Sequence, residues 1–151
     1  MPIHFYTADV PNTIREKSSL RQWLLESVST ESRRVGNISI IQCSNTFLLE
    51  INQQYLKHDY YTDVITFPID NLKGVSGEVY ISTEQARIQA SEHAHSYQLE
   101  LQLLIIHGVL HLCGYSDKTK SQKLRMRQLE KLYLDSRPEK LLLVSRETHG
   151  K

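Results

Sequence analysis

Between Tyr97 and Cys113 the chain sets Leu99, Leu101, Leu103, Leu104, Ile105, Ile106, Val109, Leu110 and Leu112 at positions that cover nearly every face of a helix. A helix without a polar face must be covered by other elements on all sides, so the fold has to be organised around this segment. Gly114, free to adopt the left-handed conformation that closes a helix, is its natural stop. A chain of 151 residues that is 40% hydrophobic and 23% charged has the length and composition to bury such a helix in one core. One domain over 1–151 is expected.

The flanking patterns supply the cover. Ile3–Tyr6, Ile38–Ile41, Val64–Phe67 and Glu78–Ser82 are rich in β-branched and aromatic residues and read as strands, the third stopped by Pro68. The last two are close enough in sequence to pair as a hairpin. Leu20, Trp23, Leu24 and Val28 fall at helical spacing behind a cap at Ser18 or Ser19. Leu48, Leu49, Ile51 and Tyr55 do so behind Ser44 or Asn45. Further helices are predicted over 83–94 and 121–134, the latter with Leu124, Leu129, Leu132 and Tyr133 inward. Strands early and helices late imply an α+β fold: a small mixed sheet of about four strands packed with about five helices. Residues 57–61 read as a polar, aromatic loop and 138–151 as a loosely ordered basic tail.

Several classes are disfavoured. No run approaches the roughly 20 apolar residues that span a bilayer. The start Met1-Pro2-Ile3-His4 has no basic region leading into an apolar one, so a cytoplasmic location is expected. Two cysteines, Cys43 and Cys113, do not make a disulfide scaffold and read as buried, inert thiols. Net charge is only +1, yet from Lys118 onward basic residues outnumber acidic ones ten to four. A solvated helix face with a basic tail accounts for that asymmetry, and so does an anionic partner.

The chemistry lies at the end of the apolar helix, in His107-Gly108-Val109-Leu110-His111-Leu112-Cys113-Gly114-Tyr115-Ser116-Asp117. Histidines four apart share one helix face and can grip one ion. Burying two imidazoles is costly unless something binds both. The stop at Gly114 lets the chain turn back and deliver Asp117. Two imidazoles and a carboxylate form a catalytic-type set with a fourth position for water. The predicted centre is therefore one zinc ion on His107, His111 and Asp117, carried by a zincin-like central helix. Metzincin-type proteases share the helix and glycine stop, but follow their first histidine with the glutamate that serves as general base. Here Gly108 stands in that place.

The same residues resemble the YbeY family of zinc-dependent endoribonucleases. Its fingerprint, His-Gly-x-Leu-His-Leu-x-Gly-Tyr-Asp-His and then a Met-x3-Glu pair, is met by His107, Gly108, Leu110, His111, Leu112, Gly114, Tyr115, Met126 and Glu130. Upstream, Thr62-Asp63-Val64-Ile65-Thr66-Phe67-Pro68 and Gly77-Glu78-Val79-Tyr80-Ile81-Ser82 are similar to two of the family's strand motifs, and the likeness runs from about Asn45 to Glu130. The family's third histidine falls on Asp117, the aspartate before it on Ser116, and its arginine after Asn-x2-Tyr on Leu56.

The resemblance implies a metal-dependent endoribonuclease specific for single strands, acting in ribosomal RNA 3′-end processing and ribosome maturation. Its partner would be RNA of the ribosome or the small subunit; neither a membrane nor a small organic cofactor is expected. Lys57, His58 and Lys118 are the candidate substrate contacts, because they flank the site in sequence. Tyr60 and Tyr61 are candidates for base stacking. Glu130 is read as ordering either its own helix or a metal-bound histidine, Met126 as core, and His4, His93, His95 and His149 as surface residues. No general base is assigned. A metzincin-like metalloprotease and a non-catalytic ribosome-associated binding module are the alternatives.

Overall fold

The β-branched and apolar segments do form the sheet. The structure is a computed structural model, and it describes residues 2–56, 62–70 and 73–146. In chain order the elements are β1 (Ile3–Thr7), α1 (Lys17–Thr30), β2 (Val35–Cys43), α2 (Asn45–Tyr55), β3 (Val64–Pro68), β4 (Val75–Ser82), α3 (Thr83–Glu92), α4 (Tyr97–Leu112), α5 (Lys120–Asp135) and α6 (Glu139–Ser145). The fold is α+β, as expected. The sheet order is β1-β2-β4-β3, with β1, β2 and β4 parallel and β3 antiparallel to β4. The predicted pairing of the last two strands aligns Ile65 with Tyr80 and Phe67 with Glu78. Pro68, which cannot donate to a ladder, ends the edge strand β3. The inner strands β2 and β4 bury Ile38, Ile40, Val79 and Ile81 completely.

Helix α4 is the central element. It touches β3, β4, α3, α5 and α6, and Leu101, Ile105, Ile106, Val109 and Leu110 are essentially inaccessible. Its close approach to the sheet depends on Gly108. A Cβ there would lie 2.5 Å from Val79 Cγ1 and 3.3 Å from Val79 Cγ2. Trp23 of α1 is buried and donates its indole N–H to the Tyr133 carbonyl at 2.8 Å, tying α1 to the end of α5.

Four local expectations are corrected. Ser18 and Ser19 do not cap α1: it starts at Lys17, after Glu16 in the left-handed region, and both serines lie in its first turn. Ser44 caps α2, accepting from the Phe47 N–H, but Tyr55 at the other end is exposed. In α5 the inward stripe is Met126, Leu129 and Tyr133, spaced i, i+3 and i+7, which leaves Leu124 and Leu132 outside. Finally, 138–151 is not a loose tail throughout. Residues 139–145 form α6, because Leu141 and Val144 find core to bury against, Ser96 Oγ donates to the Ser145 carbonyl and Gln102 to that of Leu141. The helix count is thus six among the described residues. No helix there is long and apolar enough to cross a membrane.

Candidate metal centre

Helix α4 is started by Ser96, whose hydroxyl accepts from the Leu99 N–H. It is ended by a Schellman turn: Gly114 at φ 107° donates to the His111 carbonyl, and Tyr115 to that of Leu110. The turn does two things. It points the Tyr115 carbonyl at the imidazole of the preceding turn, where His111 Nδ1 donates to it at 2.9 Å. It also folds Asp117 back over the helix end. The reversal is anchored by Tyr115 and Tyr133, whose hydroxyls both donate to the Glu31 carboxylate, and by Arg33 on the Cys113 carbonyl. A capping box at Thr119 and Gln122 starts α5, which carries Glu130 to His107 Nδ1 at 2.5 Å.

Proton placement follows from these partners. A carbonyl can only accept, so His111 carries its hydrogen on Nδ1; an ionised carboxylate can only accept, so His107 does too. Both Nε2 lone pairs then face the same point. They are 3.0 Å apart, and each is 3.4 Å from Asp117 Oδ2. Three acceptors face one another, an arrangement that calls for a cation. Their separations are close to the roughly 3.3 Å edge of a tetrahedron whose centre lies about 2.0–2.1 Å from each ligand. The donor set therefore fits a metal ion. A proton is the competing occupant. Burial depresses the His107 pKa, but the hydrogen bond and charge of Glu130, with Asp117 and Asp63, outweigh it and hold the pKa above the ordinary histidine value.

The centre opens on two clefts of about 330 Å³ each. One runs between α2 and β3, lined by Asn52, Leu56, Thr66 and both histidines. The other runs between α3, α4 and α5, lined by Gln89, His93, Glu100, Lys123, Arg127 and Glu130. Asp63 and Asp117 border both. Leu56 faces the first cleft where the resembling family carries an arginine. Lys118 is exposed and lines neither cleft; the cations that do, among the described residues, are Lys123 and Arg127. Lys57, His58, Tyr60, Tyr61 and His149 lie outside the described residues.

His93 is exposed, as expected, whereas reading His95 as a surface histidine is corrected, since it is partly buried. Both bond to Glu100 Oε1, at 3.1 and 2.6 Å, and Glu100 is fully buried. The available signal was the one carboxylate on a largely apolar helix. Asp63 was also overlooked as a site residue, although its Oδ2 accepts from Gln89 at the mouth of the cleft.

Fold and centre together define a class: α+β proteins in which one buried helix and the turn after it converge two imidazoles and a carboxylate. The sequence model of the family described as Endoribonuclease YbeY matches residues 6–137. An Endoribonuclease YbeY from Parabacteroides distasonis is 38% identical over 139 residues, covering 92% of this chain and 98% of the relative. One from Porphyromonas gingivalis is 38% identical over 148 residues, covering 98% and 93%. The solution structure of TM1509 from Thermotoga maritima superposes with a TM-score of 0.59 at 27% identity, covering 89% of this chain and 90% of that one. The chain belongs to the Endoribonuclease YbeY family.

Proposed function

We propose that this protein is a metal-dependent endoribonuclease that cleaves single-stranded RNA in the cytoplasm, in the 3′-end processing of ribosomal RNA during small-subunit maturation, with one zinc ion on His107, His111 and Asp117. The observation that carries this reading is the convergence of His107 Nε2, His111 Nε2 and Asp117 Oδ2 on one point at the mouth of two clefts. Kinship with proteins named as endoribonucleases supplies the substrate class.

When bound, the ion supplies Lewis acidity toward a phosphoryl oxygen and toward a water. The chain's own residues do the rest. Glu130 and the Tyr115 carbonyl hold the Nδ1 protons and so fix both rings with Nε2 inward. Lys123 and Arg127 line the cleft as cations able to meet a phosphodiester, with Lys57, His58 and Lys118 as further proposed contacts. Asp63, in the cleft but outside the ligand set, is the carboxylate proposed to take a proton from the attacking group. A peptide-bond mechanism of the metzincin kind is disfavoured on structural grounds as well. Position 108 packs on Val79 and has no room for a glutamate.

The test is cleavage of a single-stranded RNA oligonucleotide together with metal analysis of the wild type, His111→Ala and Asp117→Ala. Folded variants that lose both the metal and RNA cleavage support the reading. A wild type that cleaves RNA equally well after thorough metal removal overturns it.

A further inference from the structure

Glu100 is a carboxylate with no exposed surface, on the first turn of α4. Its side-chain partners are two imidazoles and an amide: His93 Nδ1 and His95 Nε2 both meet Oε1, while Gln89 Nε2 donates to Oε2. The backbone is bent to achieve this. His93 is the C-cap of α3, Ala94 takes the left-handed conformation at φ 55°, and the His95 N–H returns to the Ala90 carbonyl. Residues two apart thereby aim both rings at one oxygen on the next helix.

From this geometry we infer that His93, His95 and Glu100 form a second site for a divalent transition-metal ion, distinct in all its ligands from the centre at His107. Their ligand atoms lie within 4.8 Å of one another. Two imidazoles and a carboxylate suit zinc and its neighbours rather than calcium or magnesium, which prefer all-oxygen shells. The two nitrogen–oxygen separations fall below the roughly 3.3 Å edge of a tetrahedral site, so the rings spread by under about 1 Å to admit an ion. His93, with half its side chain exposed, has the freedom to do so. Gln89, which holds Glu100 on one side, also bonds Asp63 Oδ2. It is the hydrogen-bond link between this site and the cleft of the first.

The test is metal stoichiometry. Metal-free protein is titrated with Co2+ alone, followed by calorimetry and by the visible absorption of tetrahedral cobalt. The wild type takes up two ions. His93→Ala/His95→Ala keeps one, and His107→Ala/His111→Ala keeps one. If the alanine pair does not fold by circular dichroism, His93→Gln/His95→Gln retains hydrogen-bond donors for Glu100 and carries the same expectation. A single ion lost with the His93/His95 pair supports this site while refuting the one at His107. A single ion lost only with His107/His111, or two ions unaffected by the His93/His95 pair, overturns the inference.

Discussion

Replacing Glu130 by alanine leaves the three proposed ligands in place and removes only the acceptor behind one of them. Glu130 Oε2 sits 2.5 Å from His107 Nδ1, and both side chains are largely shielded, at 14% and 21% exposed. A hydrogen bond to a charged group in such surroundings contributes about 1.5–3 kcal/mol. That corresponds to roughly a 10- to 150-fold loss of metal affinity, close to the about 10- to 100-fold typical for the outer partner of a ligating histidine. One effect opposes this. Glu130 also raises the His107 pKa, so its loss weakens proton competition for Nε2. Working at pH 8, above the ordinary histidine range, reduces that competition. The assay is a zinc competition titration at pH 8 against a chromophoric chelator. Glu130→Gln, which keeps an acceptor without the charge, is expected to fall between alanine and wild type. An alanine variant that is folded and binds zinc within twofold of wild type would refute the reasoning.

Gly108→Ala gains helix propensity of about 1 kcal/mol but drives a methyl to 2.5 Å from Val79 Cγ1; a net destabilisation of about 1–3 kcal/mol is expected in urea melts, and any net stabilisation contradicts the close approach of α4 to the sheet. Burial raises the thiol pKa of Cys43 to about 12 and of Cys113 to about 11. A folded pKa above the unfolded one means that this stabilisation is complete below the unfolded value near 9 and is lost as pH climbs through about 11 for Cys113 and about 12 for Cys43. Native protein should therefore resist iodoacetamide at pH 8, and its urea midpoint should fall between pH 9 and 11. Lys123→Ala/Arg127→Ala is expected to cut kcat/KM on RNA by about tenfold or more at low salt and to flatten the salt dependence, with metal content unchanged. An unchanged salt slope counts against the cleft as the phosphate track.

What the sequence disclosed followed from periodicity and local spacing. The run of apolar residues from Leu99 to Leu112 marked a buried helix, and four-residue spacing put His107 and His111 on one face, because both patterns depend on helix geometry alone. Leu124 and Leu132 looked inward because every leucine in a short amphipathic stretch looks inward; only the docking angle of α5 leaves these two outside while keeping Met126, Leu129 and Tyr133 in the core. The helix over 139–145 was missed because seven residues are too few to display a period, and its order comes from tertiary contacts made by Ser96, Gln102 and Leu141. Glu100 with its two histidines stayed hidden for a similar reason. The left-handed turn at Ala94 that joins them has no glycine or asparagine to announce it.

The Schellman turn at Gly114 has a kinetic consequence. All three proposed ligands come from one stretch, 107–117, so the closing loop is only about ten residues long and forms in roughly 10–100 ns once its helix exists. The centre has low contact order even though the sheet above it, which pairs β1 with β2 and β2 with β4, does not. A metal ion present during folding has a local nucleus to act on before the sheet closes. Added metal should therefore slow amide exchange most at the C-terminal turn of α4, with Glu130 arriving later, when α5 docks.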